Sequence, residues 1–252
     1  MRLVLLALLV LIPGVAQAEV LAADNFNRAD TSGTLNSVAD GLGRWYAHMS
    51  NLEISGNLVQ CNSGQACNQV GAHSVYDYTF SNGFVGAQSL DTVEADPNSR
   101  IGAIICRAPV QEGTFGSAAR DFYIFYEEGG AIDWRLQNIT NGTTDEESID
   151  TVDPTVATNP RLVLQCNGDT VTGFQNGVQT HSVTFTLNLK NSGRAGFYNA
   201  STNTAGENAY DNFVVTSTSA AEADDCVLSG TCVASVAGAG GPSGKSLLGV
   251  GQ

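Results

Sequence analysis

Basic residues are scarce in this chain. Its 252 residues hold 11 lysines and arginines against 25 aspartates and glutamates, a formal net charge of −14 at neutral pH. Binding to nucleic acid or to an anionic lipid surface needs clustered positive charge, so neither partner is expected. The acid excess suits solubility or divalent cations. Histidine is scarcer still, at three residues, and the patterns His-Glu-x-x-His and Gly-x-Ser-x-Gly are absent. Their absence removes two common hydrolase signatures. Also missing is any apolar run of the roughly 20 residues that cross a bilayer.

The longest apolar run is LVLLALLVLI, close behind Arg2 and followed by Ala16-Gln17-Ala18, an A-x-A cleavage pattern before Glu19. Residues 1–18 therefore read as a secretory signal. Residues 19–252 are then expected to be exported, to the extracellular space or cell surface, with no membrane span.

Cysteine usage agrees with export. All six cysteines lie beyond the signal, and six allow 15 pairings. Spacing favours Cys61–Cys67 and Cys226–Cys232 as short loops, leaving Cys106 to pair with Cys166 inside strand-like runs. A zinc centre is the rival reading, but C-x5-C departs from the usual zinc spacing.

Helical periodicity is hard to find between residues 20 and 216. In its place stand short runs rich in Val, Ile, Phe, Tyr and Thr, at 45–48, 58–61, 74–80, 84–93, 101–107, 121–127, 131–137, 161–166, 170–175, 178–184, 194–198 and 209–215. Asn167-Gly168, Asn176-Gly177 and Glu128-Gly129-Gly130 separate neighbouring runs, which predicts three antiparallel hairpins. Short strands, tight turns and no crossover helices predict an all-β protein, a sandwich of two antiparallel sheets over residues 19–216. Residues 217–252 read as an acidic, cystine-bearing tail with a disordered Gly/Ala/Ser end.

Alternation assigns faces. It predicts that Phe122, Ile124, Tyr126, Ile132, Trp134 and Leu136 fill the core. Tyr123, Phe125, Glu127, Asp133, Arg135 and Gln137 would then form an outer face, with Arg107 as a further contact. Aromatic rings beside planar polar groups suit sugars, whose C–H faces stack while their hydroxyls take paired hydrogen bonds. The same residues would equally make an ordinary half-solvated sheet.

A larger pattern runs through the chain. DNFNRADTSGTLNS leads to a Trp and then to a short hairpin with Ile54, Gly56, Asn57 and Leu58. A strand from Gly102 to Arg107 follows, then RLVLQCNGDTVTGFQNGVQ, then GRAGFYNAS and a closing YDNFVV. This order resembles the concanavalin A-like lectin/glucanase superfamily, the jelly-roll group that includes laminin-G-like modules. The resemblance implies that first and last strands lie side by side, bringing Asp24-Asn25-Phe26 next to Asp211-Asn212-Phe213. It also implies a structural calcium near the joined termini, with Asp24 and Asp211 as matching ligands. A hard cation with six to eight oxygen ligands suits such a cluster.

Enzymes of this group set two carboxylates on one face of a strand. Glu147 and Asp150 have the wrong parity for that and lie in TTDEESIDTVDP, which reads as a solvated loop. Alginate-lyase-like jelly rolls carry segments similar to Arg194–Asn199 and Gln179-Thr180-His181, but here the two are too close together and an Arg-rich strand is missing. AGGPSGKS (239–246) matches a loose nucleotide-loop pattern after a flexible stretch, without the strand and helix that such a loop needs. Asn138, Asn141 and Asn199 open N-glycosylation sequons. The expectation is a secreted, non-catalytic, carbohydrate-binding jelly roll with a glycan partner. A structural or adhesive surface protein, or a polysaccharide-degrading enzyme, are the alternatives.

Overall fold

Fifteen strands and one helix make up the described part of the chain, which in this computed structural model covers residues 19–27, 45–47, 52–61, 72–90, 100–109, 121–128, 133–140, 143–150, 159–186, 191–199 and 209–232. The expected signal, Cys67, the sequon at Asn141 and the segment 239–246 lie outside those residues.

The strands form two antiparallel sheets, the all-β jelly-roll sandwich expected. One runs β13 (Val178–Thr184), β12 (Thr170–Gln175), β11 (Arg161–Asn167), β6 (Gly83–Leu90), β15 (Ala209–Thr216), β4 (Leu58–Cys61) and β3 (Leu52–Ser55), with β1 (Val20–Asp24) also paired to β15. The other runs β10 (Thr143–Asp150), β9 (Asp133–Thr140), β8 (Phe122–Glu128), β7 (Arg100–Ala108), β14 (Gly193–Asn199), β5 (Ala72–Phe80) and β2 (Trp45–Ala47). Turn chemistry places the hairpins. Gly56-Asn57 joins β3 to β4, and Asn176-Gly177 joins β12 to β13; both residues of each pair have positive φ, as a two-residue turn of matching twist requires.

The first and last strands meet as expected, with Asp24 opposite Phe213. Phe26 and Phe213 both pack on Trp45, at ring separations of 5.6 and 4.9 Å. Phe197 and Tyr210 complete this rim cluster, stacked 4.3 Å apart. The echoed tripeptide is no conformational repeat. Phe26 is left-handed in the first copy (φ 53°), whereas Asn212 is left-handed in the second (φ 52°). Tyr210 ties the sheets together, accepting from the Ala103 N–H at 3.1 Å and donating to the Tyr198 carbonyl at 3.0 Å. Cys106 on β7 is bonded to Cys166 on β11 across the core, Cα to Cα 6.8 Å.

One face assignment is corrected. Tyr123 and Phe125 are both fully buried in the inter-sheet core with Ile104, Trp134 and Leu136. Phe122, Ile124 and Tyr126 point the other way, into a second apolar cluster with Ala103, Ile105, Ile139 and Tyr198. Pairing decides this. Phe125 lies opposite Leu136 and Glu127 opposite Trp134, so the residues sharing a face with Trp134 and Leu136 are the odd-numbered ones of β8. From Phe122 to Tyr126 every residue is apolar and buried, so alternation carried no face information; a one-residue difference in register reverses every side chain.

Two further elements depart from expectation. The acidic run expected as a loop is strand β10, paired to β9 from Thr143↔Thr140 to Asp150↔Trp134. The expected tail contains α1 (Ala220–Ser229), capped at its start by Ser219, whose Oγ accepts from the Glu222 N–H at 3.2 Å. Cys226 is bonded to Cys232 at its end. Ala223, Cys226 and Val227 cover Val20, Val163 and Val214 on the outer face of the eight-stranded sheet. A Ser-x-x-Glu capping box was the available sequence signal.

Candidate functional site

Asp133, Arg135 and Gln137 alternate along β9 and so share its outward face. Next to them on β10, Glu147 stands opposite Gln137 and Ile149 opposite Arg135. The Arg135 guanidinium is held between two carboxylates, Nη1 donating to Glu147 Oε1 at 3.1 Å and Nη2 lying 3.7 Å from Asp133 Oδ2. The Gln137 amide also donates to Glu147 Oε1, and its carbonyl accepts from Thr144 Oγ1 at 3.3 Å. Each polar group therefore orients another. Side-chain exposures of 17% for Arg135, 22% for Asp133 and 28% for Glu147 leave those three open to a ligand, whereas Gln137 is buried beside them. Ile149 beside it is exposed.

The other expected contacts lie elsewhere. Tyr123 stacks on Phe185 at 5.3 Å and Phe125 on Trp134 at 4.9 Å, both inside the sandwich. Arg107 is buried and donates from Nη2 to Asn82 Oδ1 at 3.1 Å; that same oxygen accepts from the Gly168 N–H at 3.1 Å. Burial pushes its guanidinium below the ordinary range, with Tyr123 and Asp169 opposing the shift. It braces two turns at one end of the sandwich. Of the expected contacts, Asp133, Arg135 and Gln137 share one face of β9 with Glu147 beside them on β10, whereas Arg107, Tyr123 and Phe125 are buried elsewhere. An Asn141-Gly142 pair after β9 was the hairpin signal that pointed to β10 and hence to Glu147.

Asp24 and Asp211 come together at the seam. Asp24 Oδ1 accepts from the Phe26 N–H and Oδ2 from Trp45 Nε1, each at 2.8 Å. Asp211 Oδ1 accepts from the Asn212 N–H at 2.7 Å. Burial raises the Asp211 pKa, opposed by that hydrogen bond and reinforced by the Asp24 charge. Two neighbouring carboxylates suit a hard cation in kind. Among the described residues there is no group of three or more His, Cys, Asp or Glu that would hold a metal. Carbonyl oxygens and water would have to supply the remaining ligands.

Several described side chains take outward positions on the three middle strands β8, β7 and β14. They are Phe122, Ile124, Tyr126, Ala103, Ile105, Ala108, Arg194, Gly196 and Tyr198. Glu147 faces outward, whereas Asp150 pairs with the inward residue Trp134. Arg194 lies on the seven-stranded sheet and Gln179 and His181 on the edge of the other, so the lyase-like elements are not brought together. Glu146, one residue before Glu147, is a brace: it accepts from the Thr186 N–H at 3.0 Å and clips the β10 edge to the chain following β13. His181 Nε2 lies 3.2 Å from the Ser148 carbonyl in the same seam. Asn138 is fully buried, with its amide donating to Glu146 at 3.4 Å, so its sequon offers no accessible acceptor in the folded chain.

No protein-family model and no curated protein matches the chain. Solved structures do. One, from work on endo-acting O-glycanases that human gut microbiota express to initiate mucin breakdown, aligns at a TM-score of 0.51 with 11% identity, over 79% of this chain and 100% of that one. A LamA variant from Z. galactanivorans, in complex with laminaritriose and laminaritetraose, aligns at 0.50 with 9% identity, over 78% and 98%. The carbohydrate binding module CBM66 from Bacillus subtilis aligns at 0.45 with 11% identity, over 69% and 92%. At such identities the likeness is one of fold: a two-sheet antiparallel jelly roll.

Proposed function

We propose that this protein is a secreted, non-catalytic carbohydrate-binding jelly roll, whose ligand meets the outer edge of the seven-stranded sheet at Asp133, Arg135 and Glu147, with the buried Gln137 bracing Glu147. The observation that carries this reading is the mutual bonding of those side chains at a partly open strand pair. Groups already held in place lose little freedom when a sugar arrives, and a fixed set of donors and acceptors can pair with ring hydroxyls. The exposed Ile149 offers an apolar patch for a C–H face. The fold neighbours described as O-glycanases or as holding laminari-oligosaccharides support a carbohydrate ligand by analogy of fold.

A glycosidase needs one carboxyl kept protonated as acid and another as nucleophile or base. Glu147 and Asp133 are both engaged by the Arg135 guanidinium, at 3.1 and 3.7 Å. That arrangement supports binding over hydrolysis. A structural calcium at Asp24 and Asp211 belongs to the same proposal; it would neutralise two carboxylates where the first and last strands join. The paired cysteines suit an oxidising, extracellular location.

A glycan array tests the reading. Wild-type protein is expected to bind a defined set of glycans, and Arg135→Ala to lose at least tenfold in affinity while keeping its thermal midpoint within a few degrees. No glycan bound by wild type, alongside stable self-association, would favour a structural or adhesive role. Depolymerised product abolished by Glu147→Gln would make it an enzyme.

A further inference from the structure

The charge balance of the Arg135 cluster goes one step beyond the carbohydrate-binding reading, on which it rests. We infer that this site accepts glycans lacking anionic groups and turns away those bearing carboxylate, sulfate or phosphate. Proteins recognise such anions with arginine whose fork is open to the ligand. Here the Arg135 fork is already spanned, by Glu147 at 3.1 Å on Nη1 and Asp133 at 3.7 Å on Nη2. One cation between two carboxylates leaves the cluster with a net negative charge. An arriving anion would have to displace a carboxylate that stays behind, close by and uncompensated.

Nothing else among the described basic side chains offers a substitute. Arg107 and Arg194 are buried. Arg161 is engaged by both oxygens of Asp224 on the far sheet. The chain as a whole carries −14, which repels anions at a distance as well. Hydroxyl groups face no such barrier. A sugar hydroxyl donates to lone pairs of Glu147 or Asp133 without displacing either from the arginine, and carboxylates accept more than one such bond. Gln137, buried and bonded to Glu147 and Thr144, holds the Glu147 carboxylate in place.

The experiment uses the full exported chain and matched glycan pairs, each an uncharged oligosaccharide and its uronate- or sulfate-bearing counterpart, titrated at low and at moderate salt. The uncharged member is expected to bind at least tenfold more tightly at low salt, with the gap narrowing as salt screens the repulsion. Glu147→Gln, which removes one negative charge and frees one side of the fork, is expected to shift the preference about tenfold toward the anionic member. Asp133→Asn serves the same purpose if Glu147→Gln does not fold. Wild type binding the anionic member equally well or better would overturn this inference and leave the carbohydrate reading standing. Binding of neither member of any pair would overturn both.

Discussion

The ring of Phe125 on one sheet occupies the space that a side chain on Gly173 of the other would need. A Cβ at Gly173 would lie 2.7 Å from two ring carbons of Phe125 and closer still to Cε2. Phe125 is fully buried and stacked on Trp134, so it has nowhere to retreat. This contact sets how closely the sheets approach beneath the strand pair that carries Arg135.

Gly173→Ala is therefore expected to destabilise the fold by about 1–3 kcal/mol, the usual cost of overfilling a packed core. Urea denaturation measures it. An unchanged midpoint would mean that the sheets part more easily than their packing implies.

The helix α1 is expected to be integral to the domain. Arg161 donates to Asp224 from Nε and Nη2, both at 3.0 Å, across the junction of β11 and the helix. Asn212 Nδ2 also donates to the Val227 carbonyl, at 3.1 Å. Arg161→Ala should cost about 2 kcal/mol, since it leaves a largely buried carboxylate unpaired. Combined with Asp224→Ala it should cost less than the two single changes added together. Additive costs would show that the pair is not coupled.

The Cys106–Cys166 link closes a loop of 60 residues between the sheets. Replacing both by alanine should remove about 4 kcal/mol by loop entropy alone. Reduction of wild type before denaturation should lower the midpoint to a similar extent. Equal stability of reduced and oxidised protein would place this contribution elsewhere.

At the seam, the sign of the pH dependence follows from Asp211. Its pKa is raised in the fold by burial, and by the Asp24 charge after that. The folded state thus holds the proton more tightly than the unfolded chain, and stability from this group grows as pH falls through the raised pKa toward the ordinary carboxylate value. Asp211→Asn should stabilise the protein near neutral pH, with the advantage shrinking on acidification. Thermal melts of both proteins in the presence of chelator between pH 7 and 4 read this directly, and a constant difference would contradict it.

Calcium should act on the same pair. It is expected to raise the wild-type melting temperature at neutral pH, with Asp211→Ala abolishing the shift. Wild type melting at one temperature with calcium and with chelator would remove the cation from the proposal.

Much of the architecture was legible in the residues. Strand-length apolar runs between Asn-Gly and Gly-Asn pairs announced antiparallel hairpins, because local turn chemistry and side-chain period are short-range properties. The resemblance carried by the order of those runs implied that the first strand pairs with the last, and Asp133, Arg135 and Gln137 shared a face by simple alternation. Where both faces of a strand are apolar, as in Phe122–Tyr126, period alone has nothing to distinguish. There the pairing of Phe125 with Leu136 chose which rings entered the core, and it withdrew Tyr123 and Phe125 from the surface. Glu147 joined Arg135 only through the β9–β10 ladder, since a hydrogen-bonded edge orders even a run as polar as Thr143–Asp150. Composition set the charge of the chain; the placement of two carboxylates on one guanidinium belongs to the assembled sheet, because it brings together residues that are remote until the strands pair.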